Sequence, residues 1–142
     1  MCVIYVAASG RGMIEQVFCD TGLIIDHING RNGLLRRLAG QKVIMHINSI
    51  VEMELLQGAH DKRELRKIEQ SLNLFRCLEL QQAVFDQATQ WVREYTLSHR
   101  LLLPDAIIAA SVHFYQLPLL TYNRKDFKFL PGIILPHMDA LT

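Results

Sequence analysis

Four short apolar runs, Val17-Phe18-Cys19, Lys42 to Ile47, Phe75 to Leu78 and Leu119 to Thr121, alternate along the chain with stretches long enough to form helices. This alternation is the strongest constraint on the fold. A helix returning the chain between strands makes them parallel, and parallel strands are stable when helices cover both faces of their sheet. The first run has no polar residue within it, as expected of a strand with no wet face. The expected class is α/β, a three-layer α/β/α arrangement around a central, mostly parallel sheet.

Punctuation residues fill in the intervals. Asp20-Thr21-Gly22 closes the first run and leads into a helical stretch from Leu23 to Ile28; a second helix covers Leu34 to Leu38 and ends by Gly40. Asn48-Ser49 is placed to cap a helix from Ile50 to Gln57, which Gly58 terminates. Asp61 to Leu72 reads as an amphipathic helix of alternating charge, and Gln82 to His99 as a long one anchored by Trp91. Pro104-Asp105 opens a helix to Tyr115, and Gly132 to Leu135 reads as a last short strand.

With 142 residues, half of them hydrophobic, the chain has room for one core. A net charge of +1 argues against a constitutive duplex-DNA binder, which needs a basic face to neutralise phosphates. Cys2, Cys19 and Cys77 make an odd set without metal-ligand spacing, and a reducing cytoplasm is the expected compartment. The apolar tract Cys2 to Ala8 is far short of a membrane span, so no membrane partner is expected. Residues 1–15 read as an extension before a domain at 16–142; Gly10-Arg11-Gly12 is no dinucleotide turn, because Glu15 stands where a third glycine belongs. Met13 is an alternative start.

In open parallel sheets, ligands sit beyond the carboxyl ends of the strands. Asp20 directly follows the first strand, and Asn123 and Asp126 follow the one at Leu119 to Thr121. Each has an ordinary alternative: Asp20 as a helix cap, Asn123 and Asp126 as turn residues bonding their own backbone. On the helix from Ile50, Glu54 has Ile50, Val51 and Gly58 as its neighbours and points along an apolar face, whereas Glu52 points toward Asn48, Ser49 and Leu56. The two cannot serve one site, and Glu54 is the candidate. Asp105 opens a helix continued by Ala106-Ile107-Ile108-Ala109-Ala110, apolar on every side, so its helix is expected to carry it inward.

These segments together resemble PIN-domain ribonucleases, specifically the toxins of VapBC toxin–antitoxin pairs. The matching stretches are Phe18 to Asp26, Glu54 to Gly58, Pro104 to Ala110 and Leu119 to Phe127, and the likeness spans about Gln16 to Leu135. It implies that Asp20, Glu54, Asp105 and Asp126 form a catalytic acidic cluster in which Asp20, Asp105 and Asp126 hold Mg²⁺ or Mn²⁺, with Thr21 and Asn123 in support. It also implies an endoribonuclease inhibited by a cognate antitoxin, and a homodimer. One departure is Gly22, where such families usually carry Asn or Ser.

Elementary chemistry agrees with that implication. Converging carboxylates repel, a hard divalent cation is their natural counter-charge, and metal-bound water is a competent nucleophile for in-line phosphodiester hydrolysis. RNA would be gripped by Arg124, Lys125 and Lys128, with Arg31, Arg36 and Arg37 as a second patch. His27, His46, His60, His99, His113 and His137 show no metal-binding spacing and read as structural or surface residues. Two alternatives stand beside the nuclease. One is an aspartate-based phosphotransfer enzyme, opposed by glycine at position 22 where a second acid is needed. The other is a binding module that keeps the fold and has lost catalysis.

Overall fold

The computed structural model describes residues 14–141. The expectations placed on Cys2, on the glycine pair at Gly10 and Gly12 and on Met13 lie outside those residues. Four strands, β1 (Gln16–Cys19), β2 (Ile44–Ile47), β3 (Arg76–Cys77) and β4 (Leu119–Leu120), form one sheet in the order β3-β2-β1-β4. Every neighbouring pair is parallel. The helices are α1 (Thr21–Ile28), α2 (Leu34–Gly40), α3 (Ser49–Gln57), α4 (Lys62–Leu72), α5 (Gln82–His99) and α6 (Leu103–Tyr115). The three-layer α/β/α architecture is the expected one.

β1 is one of the two inner strands, and all of its residues are buried because the strand has neighbours on both edges and helices on both faces. Val17, Phe18 and Cys19 are fully enclosed, and burial together with the adjacent Asp20 pushes the Cys19 thiol far above its ordinary range, so it stays protonated. The polar member of the strand, Gln16, meets the buried His46 of β2, oxygen to Nε2 at 2.6 Å. Burial, and then Arg76, lowers the His46 pKa, which keeps the ring neutral beside that partner. α5 packs on α6, and Val84, Ala88 and Trp91 form its buried stripe. Trp91 is 4% exposed and meets His113 of α6 edge-on, so it is an anchor as expected.

One expected element is absent. Gly132 to Leu135 forms no strand among the described residues; its sole bond to the sheet is Leu119 N–H to the Ile134 carbonyl at 2.9 Å. Two local facts prevent a ladder. Gly132 turns the chain at φ +75°, and the carbonyls of Leu135 and Pro136 both accept from Arg124 Nη1, at 2.9 and 3.0 Å. The segment therefore shields the open edge of β4 without extending the sheet.

Candidate active site

The carboxyl ends of β1 and β4 and the first turns of α1 and α6 meet at one edge of the sheet, where the chain places its acids. Asp20 leaves β1 in extended conformation and caps α1, its Oδ1 accepting from Thr21 N–H at 2.8 Å. Its Oδ2 accepts from the Thr121 hydroxyl at 2.7 Å, and that hydroxyl in turn accepts from Asn123 N–H at 3.0 Å. The cap and the site residue are thus one side chain, fixed from both sides. Thr121, 2% exposed, carries no local sequence signal of this contact, because a threonine at the end of an apolar run is also an ordinary strand residue.

Asp105 stands in the first turn of α6, half-buried, behind Leu102, Leu103 and Pro104. Burial raises its pKa most, and the charges of Asp20, Asp126 and Glu54 add to it, bringing the group up to about 6. The same relationship identifies the neighbourhood: residues far apart in the sequence lie close enough to act on one carboxyl. Asp126 ends a 3₁₀ turn (Arg124–Asp126), its N–H bonded to the Asn123 carbonyl at 3.0 Å. The turn expected of Asn123 and Asp126 exists, but the Thr121 hydroxyl, acting on Asn123 N–H, pins it to the sheet.

Glu54 departs from expectation. It is exposed, because Val51 and Leu55 form the buried stripe of α3 and rotate Glu54 to the helix flank. There its Oε1 accepts from the Thr21 hydroxyl at 3.0 Å, which ties α3 to the start of α1 beside the acids. Glu52 projects elsewhere, within 3.9 Å of the Cys77 thiol, so the two glutamates do part as expected. Arg124 has a structural engagement besides its expected role. Its Nη1 holds the carbonyls of Leu135 and Pro136, and the side chain is a clip for the C-terminal segment; Lys125 and Lys128 remain exposed.

Among the described residues the ion pairs are Arg31 with Asp26 at 3.8 Å and His60 with Glu64 at 3.0 Å, and neither answers the acids of the site. No three carboxylate, imidazole or thiol groups among those residues are drawn together into a ready cage for an ion. The donor set still fits a hard divalent cation, being all oxygen, carrying excess negative charge and lacking a cationic side-chain partner. Magnesium in particular keeps several of its waters and is commonly held by one or two carboxylates.

The family model of the PIN domain matches residues 17–131, which includes every acid of this edge. The chain belongs to the PIN domain family. PIN domains are generally nucleases, hydrolases of nucleic acid that depend on divalent metal. Among solved structures, this PIN domain is similar to a toxin–antitoxin complex from Klebsiella pneumoniae, at 29% identity and TM-score 0.65, covering 85% of this chain and 98% of that one. DNA-bound VapBC from Salmonella typhimurium is 24% identical with TM-score 0.74, covering 89% and 99%. VapBC-1 from nontypeable Haemophilus influenzae is 18% identical with TM-score 0.74, covering 87% and 98%. The last two carry the fold alone. No curated protein matches the chain.

Proposed function

We propose that the protein is a Mg²⁺- or Mn²⁺-dependent endoribonuclease, the toxin of a type II toxin–antitoxin pair, acting in the cytoplasm. The observation that supports this reading is Asp105: a half-buried carboxyl, raised to about 6 first by burial and then by the charges of Asp20, Asp126 and Glu54, has three other acids near enough to act on it, a neighbourhood that a hard cation would relieve. Asp20, Asp105 and Asp126 would hold the ion, which supplies an activated water and charge neutralisation at the phosphate.

The residues of the chain set up that chemistry. Thr121 and Thr21 N–H fix both oxygens of Asp20, so its orientation costs nothing at the moment of reaction. Thr21 holds Glu54 on the opposite flank, where its exposed carboxylate would orient an incoming water. Hydrolysis by water leaves a 5′-phosphate and a 3′-hydroxyl. Lys125 and Lys128 lie on the segment carrying Asp126 and offer charge for the RNA backbone. Phosphotransfer through Asp20 is not favoured, because Gly22 stands where that chemistry needs a second acid.

An antitoxin partner is supported by a groove between α1, α3 and α4, with a volume of about 280 Å³ and Ile25, Ile28, Leu55 and Ile68 among its walls. Glu54 is also in its wall, so a partner segment with apolar side chains and a cation would reach the α3 flank of the site. Homodimerisation is part of the same reading.

The deciding experiment incubates purified protein with structured and single-stranded RNAs in Mg²⁺, in Mn²⁺ and in EDTA, beside Asp105→Asn. The expected result is cleavage in metal only, lost in the variant. Equal cleavage in EDTA would defeat the metal mechanism, and no cleavage of any RNA would favour the binding-module alternative.

A further inference from the structure

Tyr122 has no role in the chemistry above, yet it sits between Thr121 and Asn123 and is 44% exposed. An exposed tyrosine ordinarily samples several rotamers. This one is held by its far end: Asn32 Nδ2 donates to its hydroxyl at 2.6 Å, and the charge of Asp26 of α1, which pairs with Arg31, acts on the same hydroxyl. The backbone end is equally fixed, since both neighbouring residues meet the Thr121 hydroxyl network.

The ring leans over Gly22. A Cβ built at Gly22 would stand 3.8 Å from Tyr122 Cδ2, ordinary contact distance, so the glycine leaves open the space that a longer side chain would fill. Gly22 follows Thr21, which holds Glu54, and Tyr122 follows Thr121, which holds Asp20. The ring therefore borders the acidic edge from the side of α1, with its polar atom already satisfied and its apolar surface wet.

We propose that Tyr122 is a stacking platform for a nucleobase of single-stranded RNA next to the bond that is cut, and that Gly22 keeps the platform open. This rests on the ribonuclease reading and adds a determinant of how the substrate is seated. Every base has a π-face, so such a platform tolerates sequence and selects for unpaired nucleotides. Pre-fixing the ring at its hydroxyl removes most of the ordering cost of binding.

The test measures binding separately from cleavage. In an Asp105→Asn background, a fluorescently labelled oligo(A) RNA and the same oligomer carrying abasic positions are titrated at low salt. Tyr122→Leu is expected to weaken oligo(A) binding by roughly tenfold, within the range of base–aromatic stacking. The penalty should shrink toward onefold on the abasic oligomer, a signature that mere structural damage would not produce. Tyr122→Phe, which keeps the ring, should stay within about threefold of the parent, since the ring supplies the stacking. Gly22→Asn should reproduce the leucine result by crowding the ring. A Tyr122→Leu penalty of equal size on both RNAs, or no penalty on oligo(A), in a protein whose parent binds oligo(A), overturns the platform alone. A parent that binds no RNA overturns the ribonuclease reading and the platform with it.

Discussion

The Thr121 hydroxyl donates to Asp20 Oδ2 at 2.7 Å across a separation of 101 residues, joining the ends of β1 and β4 at the edge where the acids gather. It also accepts from Asn123 N–H, so one small buried group orients a carboxylate and pins the turn that presents Asp126.

Replacing Thr121 by Val keeps the shape and removes the hydroxyl. The buried Asp20 carboxylate and the Asn123 N–H then each lose a bond, which should lower stability by about 1–3 kcal/mol. Chemical denaturation measures this, and Thr121→Ser should recover most of the loss. Cleavage should fall in Val and return in Ser; a Val variant as active as the parent would show that Asp20 needs no such support.

Asp105 makes the metal-free protein sensitive to pH in a defined direction. Its folded pKa, about 6, lies above its ordinary value of 3.8, so between those values the folded state binds the proton more tightly than the unfolded chain. The contribution of the protonated group is complete below about pH 4 and is lost as pH rises through about 6. Asp105→Asn should therefore raise Tm at pH 7.5 in EDTA, with the gain vanishing near pH 4. Thermal melts at the two pH values check it, and a variant destabilised at pH 7.5 would contradict the crowding of charge at this edge.

Divalent metal should reverse that repulsion. An ion at about 100 times its Kd stabilises a native protein by about 2.7 kcal/mol, which is several degrees in Tm for a domain of this size. Mn²⁺ and Mg²⁺ should raise Tm in the parent and fail to do so in Asp20→Asn. A shift of the same size in both would remove Asp20 from the ligand set.

The basic residues near Asp126 should separate into two kinds. Arg124→Met removes the bonds to the Leu135 and Pro136 carbonyls and should destabilise by about 1–3 kcal/mol. Lys125→Ala and Lys128→Ala should leave stability unchanged and reduce the salt dependence of RNA binding, by about 0.7 in log–log slope for each phosphate that is no longer neutralised. Unaltered slopes would place the RNA on another face.

Charge also reads differently by position. On the proposed reading four of the 14 acidic residues share one site, leaving ten against 15 Lys and Arg over the rest of the chain. The near-neutral total then divides into an acidic site and a mildly basic remainder.

Amino-acid order alone dictates the parallel α/β sheet, the succession of its strands and helices along the chain, and the acids Asp20, Asp105 and Asp126 at strand ends and a helix start. These follow from periodicity and capping, which act over a few residues and are written locally. Packing of the elements against one another settles the rest. Whether Glu54 is wet depends on how Val51 and Leu55 seat α3. The loss of the strand at 132–135 depends on Arg124 reaching across to its carbonyls. Thr121 became a site residue only when β4 was laid beside β1, and Tyr122 gained its fixed ring only when Asn32 came within 2.6 Å. Contacts between residues about 100 positions apart are set by packing of whole elements, and no local pattern in the chain encodes them.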